Sequence, residues 1–170
     1  MAINSYILRL LRSPSYTHSH KRDIMKLDIN VEGLALPVKG SMLTKIHQAI
    51  HQALGTSEIE EGAYFITINY RDKSYSAEQG GFHPVEIGLN RSGESWTLEY
   101  ITDFAYCGGP YPELYKEADF NFANNQLYMS DYSFPLGSHD AKNFYDLWSS
   151  NFVQYVDMGA FDEIKVAVHY

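Results

Sequence analysis

The feature that most constrains this chain is a period of two sustained from residue 63 to residue 132. Val85, Ile87 and Leu89 alternate with Glu86, Gly88 and Asn90. Trp96, Leu98, Tyr100, Thr102 and Phe104 alternate with Thr97, Glu99, Ile101 and Asp103, which assigns the two sets to opposite faces of a sheet. The pattern predicts strands over 63–70, 84–90, 95–105, 114–122 and 126–132. The breaks between them carry turn residues, in Asn90-Arg91-Ser92-Gly93, Cys107-Gly108-Gly109-Pro110 and Asn124-Asn125. Most of these connections are too short for parallel crossovers, so the strands read as an antiparallel meander.

The flanks are helical. Ser41 stands where an N-cap is wanted, Met42, Leu43, Ile46, Ala49, Ile50, Ala53 and Leu54 form an apolar stripe, and Gly55 supplies a stop. After a breaker at Phe134-Pro135-Leu136-Gly137, Ser138 caps a second helix. Its stripe is aromatic: Phe144, Tyr145, Trp148, Phe152 and Tyr155 join Ala141 and Val156, and Gly159 ends it. A last strand is expected over 162–169, and Leu27, Ile29 and Val31 suggest a first one. The order of elements is that of an α+β domain: a single antiparallel meander sheet flanked by an N-terminal and a C-terminal helix. At 170 residues, one domain over 25–170 suffices, preceded by a basic, amphipathic extension over 1–24. That extension fits a targeting or membrane-surface segment, a docked helix, or sequence upstream of an internal start at Met25. A docked or dispensable segment is the preferred reading, because nothing else in the chain points to an organelle.

Charge narrows the function. Residues 1–90 are balanced, nine acids against nine bases, whereas 91–170 hold twelve acids against four bases. Such a surface opposes the phosphate backbone of nucleic acid, and no apolar run approaches the ~20 residues of a membrane helix. Solubility alone accounts for the excess acid, and capture of a basic partner is the sharper reading. Cys107 is the only cysteine, so no intramolecular disulfide forms, in keeping with a cytoplasmic protein.

The search for chemistry yields weak constellations. His47 and His51 lie one turn apart on the polar face of the first helix, the spacing of a zinc-protease helix. Gln48 stands where the general base belongs, so a plain surface pair is preferred. Cys107 could act as a nucleophile if His83 folds back to it and Asp103 orients the imidazole. No signature supports that set, and a packed thiol is the blander reading. There is no phosphate loop, dinucleotide fingerprint or nucleophile elbow, and no cofactor is expected. The long polar connection 71–83, with Tyr75, Phe82 and His83, is the place on such a sheet where function tends to lie. With Tyr106, Tyr111, Glu113, Glu117 and Asp119 it forms the expected partner-binding surface. The leading expectation is a non-enzymatic protein-interaction module, with no binding of nucleic acid or membrane. The alternatives are a small enzyme built on Cys107, His83 and Asp103, and attachment to a membrane or nucleic acid through the basic segment 1–26.

Several stretches carry a resemblance. They are residues 68–87, which include Glu78-Gln79-Gly80-Gly81-Phe82-His83-Pro84, then Tyr100-Ile101-Thr102-Asp103-Phe104-Ala105-Tyr106, Tyr111-Pro112-Glu113-Leu114, Glu117-Ala118-Asp119-Phe120-Asn121-Phe122 and residues 155–162. In these the chain resembles an uncharacterised gammaproteobacterial family of unknown function, often carried on genomic islands. That family is similar in fold to the acidic mitochondrial matrix protein that binds the globular heads of complement C1q. The resemblance runs from Met25 to the C-terminus. It implies a strongly twisted antiparallel sheet flanked by helices, an acidic face, room for a homo-oligomer and no established catalysis or catalytic residues.

Overall fold

The computed structural model describes residues 27–55 and 59–170. The expectations for the basic segment 1–24 lie outside these residues. The described chain forms β1 (Ile29–Asn30), α1 (Gly40–Leu54), β2 (Phe65–Arg71), β3 (Val85–Ser92), β4 (Ser95–Cys107), β5 (Glu113–Asn121), β6 (Gln126–Met129), β7 (Tyr132–Pro135), α2 (His139–Asp157) and β8 (Glu163–His169). Strands β2 to β7 are a continuous antiparallel meander, and β8 returns to pair with β2, giving the order β7-β6-β5-β4-β3-β2-β8. The short β1 lies parallel to β4, Ile29 opposite Trp96. The fold is α+β, as the alternation implied.

Three local readings are corrected. The expected strand over 126–132 is two strands, because the chain turns at Ser130 with a φ of 49°. Phe134-Pro135 therefore ends an edge strand instead of breaking the chain. Proline is tolerated there because the edge needs no outward N–H. Helix α1 starts one residue before Ser41, with Lys39 at its N-cap position and no side-chain cap, the Met42 and Leu43 amides bonding to the Lys39 carbonyl. Ser138 does cap α2, its hydroxyl accepting the Ala141 amide at 3.3 Å.

The third correction matters most for the site. Gly88 pairs with Tyr100 but Leu89 pairs with Leu98, so Glu99 is an extra residue in β4. This bulge lets Ile101 and Asp103 share a face with Trp96 and Leu98, while Tyr100 and Thr102 point the other way. Strict alternation had placed Ile101 and Asp103 opposite Trp96.

Both helices cover the same face of the sheet. Met42, Ile46 and Ile50 of α1 are buried, as are Ile66, Ile68 and Tyr70 of β2. The Tyr70 hydroxyl donates to the Lys45 carbonyl at 3.0 Å, and its ring meets Phe152 edge-on at 5.0 Å. Phe120 of β5 packs against Phe144, Tyr145 and Trp148 of α2. The ion pairs that link α1 to α2, Lys39–Asp146 and Lys45–Asp157, involve exposed carboxylates and add little.

On the opposite face Tyr100 lies across Gly88, where a Cβ would stand 2.5 Å from the Tyr100 ring. The Tyr100 hydroxyl donates to Glu86 at 2.7 Å, and Thr102 donates to Asp119 at 2.9 Å.

Tyr145 is 1 % exposed and its hydroxyl has no partner among the described residues. Burial also pushes its pKa up, since a buried phenolate is costlier still. Tyr145→Phe should therefore leave the unfolding free energy unchanged or raise it by about 1 kcal/mol, measured as the midpoint of urea unfolding. A loss above that size would show that the hydroxyl is satisfied.

Candidate functional site

The loop between β2 and β3 is built around one carboxylate. Asp72 Oδ1 accepts the Ser74 amide at 2.8 Å and the Ser74 hydroxyl at 2.6 Å, while Oδ2 accepts the Phe82 amide at 3.0 Å. These bonds, the Ser74 hydroxyl foremost and the Phe82 amide next, hold the Asp72 carboxyl below its ordinary range. Gly81 closes the turn with a φ of 130°, and a Cβ there would lie 2.8 Å from Asp72 Oδ2. The Lys73 amide reaches Asp162 at 3.0 Å, tying the loop to the approach to β8. The loop is thus fixed at both ends. It presents Tyr75, whose hydroxyl accepts the Tyr106 amide at 3.0 Å and whose ring lies 5.2 Å from both His83 and Tyr106.

A second bulge meets this loop. Asp103 pairs with Ala118 but Phe104 pairs with Lys116, so Glu117 is the extra residue on β5. His83 Nδ1 lies 3.0 Å from Asp103 Oδ1 and 3.0 Å from Glu117 Oε2. The other oxygen of Asp103 accepts the Trp148 indole N–H at 2.7 Å. Asp103 is 8 % exposed, and this burial raises its carboxyl pKa. The Trp148 bond and the imidazole pull the other way, and Glu117 adds to the rise. His83 and Asp103 of the cluster line a cavity of about 320 Å³ whose apolar wall includes Phe82, Val85, Trp148, Phe152, Tyr155 and Phe161.

The structure brings some of the sequence-derived residues together and separates others. His83, Asp103, Glu117, Tyr75, Phe82 and Tyr106 form one neighbourhood. Cys107 is exposed and stands four residues beyond Asp103 on β4, roughly 13 Å of strand at ~3.3 Å per residue. Tyr111, 88 % exposed, and Glu113 lie at the β4–β5 turn. Asp119 is 6 % exposed and turned to the opposite face, held by Thr102 and Lys116. His47 and His51 are exposed on α1, and no third donor joins them among the described residues. In the sequence alone Trp148, Phe152 and Tyr155 read only as a packing stripe. The unusual width of that stripe was the one available sign that it does more than cover a sheet.

Fold and site together define a helix-backed antiparallel α+β protein with an imidazole–carboxylate cluster at the mouth of an aromatic cavity. The chain belongs to the family described as protein of unknown function DUF2787, whose model matches residues 44–167. Two solved structures from Vibrio cholerae resemble it. A hypothetical protein of the VSP-II pathogenicity island is 40% identical, with a TM-score of 0.69 over 79% of this chain and 96% of that one. A conserved hypothetical protein of the VPI-2 pathogenicity island is 38% identical, with a TM-score of 0.66 over 82% of this chain and 99% of that one. The latter is described as sharing structural homology with the human P32 protein. Among curated proteins, none matches this chain. No described helix is long and apolar enough to cross a membrane.

Proposed function

We propose that this protein is a non-enzymatic interaction module that holds a protein partner with basic and apolar side chains on the surface formed by the pinned loop, the end of β4 and the first half of β5. The observation that carries this reading is the exposure of every residue from Glu113 to Glu117. A strand wet on both faces is ordinary when polar, but here Leu114 is 45 % and Tyr115 41 % exposed, beside Tyr111 at 88 %. These exposed apolar side chains, beside Glu113 and Glu117, offer a contact patch to a partner with apolar and basic groups. Tyrosine suits such a surface because its ring packs while its hydroxyl stays hydrated. The alternative nucleophile, Cys107, has its prospective base and orienting acid engaged with Glu117 and Trp148 further along the strand.

The test is capture of a partner from cell extract by the immobilised full chain and by a Tyr111→Ala, Glu113→Lys variant. A partner retained at low salt, released at high salt and lost in the variant is the expected result, since surface attraction is screened with a Debye length of about 8 Å at physiological ionic strength. Equal capture by both proteins would contradict the assignment of this surface.

A further inference from the structure

We propose that His83, Asp103 and Glu117 form a binding site for a divalent transition cation, with Zn²⁺ the best-matched ion. The ligand atoms His83 Nδ1, one Asp103 oxygen and one Glu117 oxygen all lie within 4.8 Å of one another. Both nitrogen–oxygen separations are 3.0 Å. Two ligand atoms of a tetrahedral zinc ion, each about 2.1 Å from it, are about 3.4 Å apart, so the 3.0 Å separations close on a shared ion with a few tenths of an ångström of side-chain adjustment. A hydrogen bond between His83 Nδ1 and Asp103 Oδ1 accounts for only one of the two approaches. Nδ1 carries at most one hydrogen, and two carboxylate oxygens face it at equal distance.

The surroundings are those of a ligand set. Trp148 holds Asp103 Oδ2, which leaves Oδ1 turned to the imidazole, and such outer partners orient metal ligands. The pairing of Asp103 with Ala118 sets Asp103 beside Glu117, and the Phe104 amide donating to the Pro84 carbonyl at 2.9 Å holds the end of the pinned loop, with His83, next to them. One imidazole and two carboxylates suit Zn²⁺ or Mn²⁺ and disfavour thiophilic ions. The two carboxylate charges, one of them buried, would be balanced by the ion. The cavity beside the cluster leaves further coordination positions for water or a small anionic ligand. The site shares Glu117 with the partner surface, but its readout involves no partner, so either reading can fail without the other.

The experiment is calorimetric titration of Zn²⁺ into chelator-treated full chain in a His47→Gln, His51→Gln background, which removes the surface pair on α1. One Zn²⁺ per chain should bind, and adding Glu117→Gln or Asp103→Asn should weaken binding at least tenfold each. Glu117 is exposed, so its substitution leaves the core intact even if Asp103→Asn disturbs folding. Mn²⁺ should bind the same site more weakly. Absence of saturable Zn²⁺ binding in the His47→Gln, His51→Gln protein, or an unchanged affinity after Glu117→Gln, would overturn the proposal.

Discussion

Phe120→Ala should lower the unfolding free energy by about 3–5 kcal/mol, a larger effect than any other single truncation considered for this fold. Phe120 has no exposed surface, and its ring lies 5.2–5.6 Å from the centroids of Phe144, Tyr145 and Trp148. It is the point at which β5 holds α2. Truncation removes the transfer free energy of a benzyl group and leaves a hole that three large rings on one helix cannot fill without moving it. Equilibrium urea unfolding followed by far-UV circular dichroism measures the loss. A change under about 1 kcal/mol would mean that α2 is held elsewhere.

Trp148→Phe is the more informative substitution. The new ring preserves most of the stacking on Phe152, where the two rings now lie 5.4 Å apart and 7° from parallel. What disappears is the indole N–H that Asp103 Oδ2 accepts at 2.7 Å. A hydrogen bond to a buried carboxylate contributes about 1.5–3 kcal/mol, and its loss leaves an acceptor unsatisfied. The expected destabilisation is of that size, read from the same urea transitions. In an Asp103→Leu background the same substitution should cost under about 1 kcal/mol, because no acceptor remains to be orphaned. Equal costs in the two backgrounds would show that the effect is packing alone.

How much of this could be read from residues follows a physical line. Alternation over 85–89 and the 3.6-residue stripe of α2 report burial directly, so strand and helix identities were legible. The start of α1 was not, because Ser41 has the chemistry of a cap while the backbone at Lys39 takes the extended cap conformation instead. The two bulges were illegible for a deeper reason. Glu99 and Glu117 are ordinary polar residues in strands, and nothing in either marks it as the extra residue in a ladder. Without the first bulge Asp103 is assigned away from Trp148, and without the second Glu117 is one more solvated acid. Sequence proximity of loop and sheet did suggest His83 beside Asp103. It could not show that Cys107 lies further along the strand, or that Asp119 belongs to the opposite face with Thr102 and Lys116.

The proposed partner surface lies at the β4–β5 end of the sheet and does not include the exposed face of α1 that carries His47. The most direct measurement places a photo-crosslinking residue at position 111 in one sample and at position 47, on the exposed face of α1, in another. Irradiation in cell extract should give a discrete adduct from position 111 that fades with added salt, and none from position 47. An adduct from position 47 with none from position 111 would contradict it.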